Sequence, residues 1–233
     1  MKPVRIFCHV QGEGPGYLLD ILAQRQIPVE QVNIYAGEPV ATGLDDISAL
    51  VFMGGNMSVN DPLPWIDEEL TLVRRAADLK LPILGICLGC QLIVRALGGV
   101  VSPGGKGMEL GWHPVQQRAP DSPWLQGLPD KFDVFHWHGE TFSLPEGAQL
   151  LTGNDCFEHQ AYALGKILGI QFHIEMKTGM VQDWASRFTD DIANGGDCGQ
   201  SAEDMLADLA HRIDELNQVA EVMLGHWINQ FAE

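Results

Sequence analysis

The chain has 233 residues, enough for one sizeable α/β domain that buries a full hydrophobic core without covalent staples. Its 31 acidic residues against 14 basic ones give a net charge of −17, which repels phosphate backbones and leaves no basic stripe, so nucleic acid is excluded as a partner. No apolar run approaches the roughly 18 residues of a membrane span, and MKPVRIFCHVQGEG lacks a small-residue cleavage site, so no membrane partner is expected and the cytoplasm is the expected compartment.

In chain order, VRIFCHV predicts the first strand and GYLLDILAQRQ a helix with Leu18, Leu19, Ile21 and Leu22 on its buried side. VEQVNIY is the second strand, ALVFMGG a third that ends in two glycines, PWIDEELTLVRRAADLK a helix opened by proline, and PILGIC a fourth strand. A helix from Leu88 to Leu97 stops at Gly98-Gly99. This alternation builds βαβ units and a mostly parallel sheet. Beyond residue 100 the strands shorten between Gly, Pro and Asp turns: GVVSP, LGWHPVQQ, DVFHWHGETFSLP, AQLLTG and QAYALGKILGIQFHIE. They predict an antiparallel or mixed extension of the same sheet, then a return to its core. Two acidic helices, about Lys177 to Ala193 and Ala202 to Phe231, flank ANGGDCGQ, expected as a mobile surface turn. No repeat or linker intervenes. The expectation is one α/β domain over residues 1–233, a central mostly parallel (mixed) sheet flanked by helices, with the acidic helices of about 177–233 packed on it.

Five cysteines at irregular spacing (Cys8, Cys87, Cys90, Cys156, Cys198) do not form a secreted disulfide framework, and reduced thiols are expected. Cys87 and Cys90 are formally C-x-x-C, but no second such pair accompanies them and Cys90 falls inside the predicted helix, where packing is its role. His136 and His138 share a strand face and, with His113 or His159, could be zinc ligands; a polar strand beside a pocket is the preferred account, and no metal is expected. Trp112, Trp137 and Trp184 read as core or rim aromatics.

Gly85-Ile86-Cys87-Leu88-Gly89 has the spacing of a nucleophile elbow, in which small residues let a sharp strand-to-helix turn expose the central side chain. There Cys87 lies at the carboxyl edge of the sheet, where open α/β folds bind ligands, and at a helix N-terminus, which favours thiolate. Such a nucleophile needs a base. In GIQFHIE, strand alternation puts Gln171, His173 and Glu175 on one face, so that Glu175 can orient His173.

With these motifs the chain resembles the class I, triad-type glutamine amidotransferases. GICLGCQ is similar to their Gly-Ile-Cys-x-Gly-x-Gln signature and GIQFHIE to their Gly-x-Gln-Phe-His-x-Glu signature, in the family's order and at a similar separation, over roughly residues 45–180. FHWHGETFSLP and ELGWHPV bring it nearest to stand-alone members similar to the glutaminase domain of GMP synthase. The resemblance implies a flavodoxin-like fold and assigns Cys87 as nucleophile, His173 as general acid and base and Glu175 as its orienting carboxylate. It implies an oxyanion loop at Gly54-Gly55, where the N–H of Gly55 or Asn56 joins that of Leu88, with Asn56 standing where the family often has proline. Gln91 and His138 match glutamine-pocket positions, and Glu140 stands where Asp is common.

What this implies is hydrolysis of the glutamine side-chain amide through a cysteine γ-glutamyl thioester, with no metal or organic cofactor required. After Glu175 only about sixty residues remain, too few for a nucleotide-activating synthase domain, and there is no Gly-x-x-x-x-Gly-Lys-Ser/Thr loop. The ammonia would then go to a separate, unidentified synthase. The alternatives are a γ-glutamyl peptidase acting on glutathione-like substrates, or a silent binding or regulatory relative.

Overall fold

The computed structural model describes residues 1–232. The chain runs β1 (Val4–Cys8), α1 (Gly16–Gln24), β2 (Val29–Asn33), β3 (Ala49–Phe52), α2 (Pro64–Asp78), β4 (Ile83–Ile86) and α3 (Leu88–Ala96). It continues with β5 (Val101–Pro103), β6 (Glu109–Gln117), β7 (Lys131–His138), β8 (Glu140–Phe142), β9 (Gln149–Gly153), β10 (Ala161–Leu164) and β11 (Ile167–Ile170). Four helices follow: α4 (Thr178–Arg187), α5 (Thr189–Ala193), α6 (Ala202–Leu206) and α7 (Leu209–Ile228).

The main sheet has the order β2-β1-β3-β4-β11-β10-β9-β6-β7. Its first five strands are parallel, and from β11 outward every pairing is antiparallel. This is the mixed sheet expected, and the last strand does return to the core, since β11 lies directly against β4. The reason is in the side chains. Val4, Ile6 and Cys8 of β1 face one core and Phe7 the other; Ala49 and Val51 of β3 oppose Leu50 and Phe52 in the same way. Strands apolar on both faces must be covered on both, so α1, α4, α6 and α7 form one layer and α2 and α3 the other.

Several boundaries differ from expectation. GVVSP does not join the main sheet: β5 pairs with β8 in a separate two-stranded ribbon. DVFHWHGETFSLP breaks at Gly139, which lets β8 leave the line of β7. Each long acidic helix is two, interrupted at Phe188 and at Ala207-Asp208, where Asp208 takes a left-handed conformation (φ 51°). Cys156 and Cys198 form a disulfide, so reduced thiols hold only for Cys8, Cys87 and Cys90. That bond anchors the stretch expected as a mobile turn, where Gly196–Cys198 makes a short 3-10 helix and Cys198 is buried.

Candidate active site

Cys87 connects β4 to α3 with φ 52° and ψ −109°, a backbone that L side chains rarely adopt. The turn is held from both sides: the Cys87 N–H donates to the Ile170 carbonyl (2.8 Å) and the Gly89 N–H to the Met53 carbonyl (3.1 Å). The flanking glycines answer to close approach. A Cβ on Gly85 would meet the Gly89 backbone, and one on Gly89 would collide with the Phe52 carbonyl of β3. The elbow therefore seats α3 directly over β3 and β4 and turns the Cys87 side chain into a cavity at the carboxyl edge of the parallel strands.

His173 and Glu175 reach the same place from beyond the end of the neighbouring strand. β11 stops at Ile170, but the alternation runs on: Phe172, Ile174 and Met176 enter the apolar core while Gln171, His173 and Glu175 turn the other way, Gln171 to Gln91 and His173 to Glu175. The segment is pinned by the His173 N–H on the Phe135 carbonyl (2.7 Å) and by the Tyr17 N–H on the Glu175 carbonyl (2.7 Å). Glu175 Oε1 lies 2.7 Å from His173 Nδ1, and the ring lines the same cavity as Cys87, both side chains adjoining Gly54. Burial disfavours the imidazolium, yet the Glu175 carboxylate and the Cys87 sulfur outweigh it and hold the His173 pKa well above the ordinary value. The imidazole and carboxylate are hydrogen-bonded beside the thiol in one buried corner, a grouping in which an imidazole can take a proton from sulfur and give it to a leaving group.

The cavity is about 450 Å³. Of the residues singled out in the sequence, Gly55, Asn56, Gln91, His138 and Glu140 line it with Cys87 and His173. Gln91 is tied to Gln171 (3.1 Å), and Glu140 accepts from Ser58 Oγ (2.8 Å). Two lie outside the lining: Glu175 stands behind His173, and the Leu88 side chain belongs to the α2/α3 core. Gly55 packs toward Leu88, since a Cβ there would meet the Leu88 side chain at 2.9 Å. The Gly54-Gly55 turn is held by His9, whose Nδ1 faces the Met53 and Gly54 carbonyls while Nε2 faces Glu69 at 3.1 Å, both side chains fully buried.

Other residues of the site escape the sequence reading. Glu13 lines the cavity on the His173 side, where burial raises its pKa above the ordinary carboxylate value, His173 pulls it back and Glu175 adds to the rise. Trp184, expected as a rim or core aromatic, stacks edge-on against the His173 ring at 4.9 Å. Phe188 and Asp191 close the same side, and Asp191 accepts from Trp137 Nε1 (3.0 Å). The only signal for these is tertiary: α4 and α5 fold back over the sheet edge. The donor atoms of Glu109, His136 and His138 converge within 4.8 Å in the wall behind the cavity, whereas His113 gives this group only its backbone carbonyl and His159 binds the Phe142 carbonyl. No helix among the described residues is long and apolar enough to cross a membrane.

Residues 17–188 match the family model for glutamine amidotransferase class-I. The chain is 26% identical to the glutamine amidotransferase-like protein YfeJ of Salmonella typhimurium over 199 residues, 82% of this chain and 83% of that one. It is 36% identical over 133 residues to the GMP synthase (glutamine-hydrolyzing) of Thermomicrobium roseum, covering 54% of this chain but only 23% of the synthase. Among solved structures, a glutamine amido transferase from Methylobacillus flagellatus superimposes with a TM-score of 0.94 at 36% identity, covering 99% of this chain and 96% of that one. A glutamine amidotransferase from Thermotoga maritima gives 0.87 at 27% identity, covering 100% and 98%.

Proposed function

Because the chain belongs to the glutamine amidotransferase class-I family, we propose that it hydrolyses the side-chain amide of glutamine through a thioester on Cys87 and delivers the ammonia to a separate synthase. The observation that carries this reading is the buried His173–Glu175 pair lining one cavity with Cys87, which sits on a strained elbow opening into it. His173 takes the thiol proton, and the sulfur attacks the amide carbon. The tetrahedral oxygen is received by the N–H groups of Leu88 and of Gly55 or Asn56; the Gly89 N–H is already committed to Met53. His173 then gives its proton to the departing nitrogen, so ammonia leaves and a γ-glutamyl thioester remains. Water, deprotonated by His173, attacks the thioester, and glutamate leaves with the thiol restored. Glu175 keeps the His173 ring oriented and supports its charged form. Gln91, His138 and Glu140 are assigned to the glutamine moiety.

The GMP synthases matched here are glutamine-hydrolyzing, which supports glutamine as the substrate. The test is glutamate release by the purified chain with glutamine and glutathione side by side, and Cys87→Ala as the blank. Turnover of glutamine lost in Cys87→Ala supports the proposal. Preference for glutathione would replace it with a self-sufficient γ-glutamyl peptidase, and turnover by Cys87→Ala near wild type would remove Cys87 from its role.

A further inference from the structure

We propose that Glu109, His136 and His138 form a site for a divalent transition-metal cation of the zinc class, built into the wall of the Cys87 cavity. On paired strands β6 and β7, Glu109 stands opposite His138 and Gly111 opposite His136, so one carboxylate meets two imidazoles that share a strand face. All three side chains are sealed from solvent, at 0%, 0% and 2% exposure. Nδ1 of His136 lies 3.3 Å and Nε2 of His138 3.2 Å from the same atom, Glu109 Oε2.

The opposite ring nitrogens decide what these contacts are. His136 Nε2 faces the His113 carbonyl at 3.3 Å, and His138 Nδ1 faces the Glu140 carbonyl at 3.1 Å. A carbonyl oxygen only accepts, so these nitrogens carry the hydrogens, and a neutral imidazole has only one. Both rings therefore turn lone pairs toward a carboxylate oxygen, an arrangement that repels unless something positive lies between. Extra protons are the competing account, disfavoured because neither nitrogen is aligned with Glu109 as a hydrogen bond. The buried His9–Glu69 pair is the contrast: its contacts are aligned hydrogen bonds.

A cation accounts for both the distance and the misalignment. With metal–ligand bonds of 2.0–2.1 Å in a tetrahedron, ligand atoms lie about 3.3 Å apart, and each lone pair points at the ion rather than at the neighbouring ligand. The surroundings are those of such a site. The outer ring nitrogens rest on backbone carbonyls, and the carboxylate is held by Asn154 Nδ2 on Oε1 and Gln160 Nε2 on Oε2, each at 2.6 Å. Two imidazoles and a carboxylate suit zinc, nickel, copper or iron rather than calcium or magnesium, and leave a coordination position open. A second cavity of about 330 Å³ is bordered by Glu109, His113 and Asn154. The ion would brace β7, whose Trp137 carbonyl lies 3.8 Å from the Cys87 sulfur and whose His138, with both ring nitrogens committed, would meet a bound glutamine only through its ring. This departs from the expectation of no metal drawn from the sequence, because Glu109 comes from the neighbouring strand and no local spacing pairs it with the two histidines.

The test uses the full chain, stripped with chelator and titrated with Co²⁺ and then Zn²⁺, and it does not depend on hydrolysis. Wild type is expected to take up one Co²⁺ with the visible bands of a tetrahedral nitrogen–oxygen site and no sulfur charge-transfer band, to lose them as Zn²⁺ displaces it, and to gain in Tm with Zn²⁺. Glu109→Gln and His136→Asn are expected to bind about a hundredfold more weakly or worse. Should either variant fail to fold, the wild-type spectrum and Tm still decide. An absent spectrum with a Tm unmoved by a large excess of Zn²⁺ would leave only a proton-linked cluster and overturn the site. So would variants that bind as tightly as wild type, or a sulfur band, either of which puts the ion elsewhere.

Discussion

At the scale of single residues, the site depends on groups whose usual preferences are overridden by neighbours. Burial alone would push the His173 imidazole toward its neutral form; Glu175 and the Cys87 sulfur reverse that. A pKa raised on folding means that the His173 charge contributes its full stability below the ordinary value of about 6.5 and loses it as pH climbs through the raised value. In Glu175→Gln the main counter-charge goes and burial acts with less opposition. The His173 midpoint, followed by NMR, is expected to move to lower pH, and glutamine turnover to fall by about 10²- to 10⁴-fold. A midpoint that stays put would remove Glu175 from its orienting role. Gly89 is constrained differently, by space. Its missing Cβ is where the Phe52 carbonyl sits, and backbone on both sides cannot give way as a flexible side chain would. Gly89→Ala is expected to lose about 3 kcal/mol in urea denaturation by forcing α3 off β3. A loss below about 0.5 kcal/mol would mean that the elbow is not held by this contact.

At the scale of elements, the apolar alternation of β1 and β3 and the glycines around Cys87 were legible in the sequence, because period-two burial and the elbow spacing are local patterns. His173 and Glu175 share a face because the alternation runs on past the end of β11, with Phe172 and Ile174 in the apolar core; what was not legible is that the chain leaves the sheet there, pinned by Phe135 and Tyr17. Glu13 and the His9–Glu69 brace were not legible, and of Trp184 only its place as a core or rim aromatic was, since each joins segments far apart in the chain and carries no spacing signal. The disulfide was missed for the same reason: Cys156 and Cys198 are 42 residues apart, and only the return of the chain after α5 brings them together. That closure constrains the unfolded chain by about 4 kcal/mol on a loop-entropy estimate, and measured values commonly run at about 2–4 kcal/mol. Cys198→Ser is therefore expected to lower stability by about that amount, and reductant to bring wild type down to the variant while leaving the variant unmoved. Equal stability of the two under oxidising conditions would mean that the bond does not hold the α5 segment that carries Asp191.

At the scale of the whole molecule, the question is whether the C-terminal helices are an added layer or part of what makes the domain fold. The sequence suggests the first, since they follow the last signature and are rich in acid. The packing argues for the second. Ile213, Leu216, Ala220, Met223, Leu224 and Trp227 of α7 are buried in the same core as Val4 and Ile6 of β1 and Leu18 and Ile21 of α1, and Trp227 is the largest fully buried side chain. Without α7, this layer would keep only α1, α4 and α6, and much of this face of the sheet would lose its cover. The acidic residues fit this arrangement, lying on the outer side of a helix whose inner side is apolar. If α7 is integral, Trp227→Ala should cost about 3–5 kcal/mol, a large share of the 5–15 kcal/mol typical of a native domain. The loss should appear as one cooperative transition in urea, with accessibility of the Cys87 thiol and far-ultraviolet dichroism changing together. Two separated transitions, with helix content lost while Cys87 stays protected, would instead make α7 an independent layer and detach the site's stability from the C-terminal half of the chain.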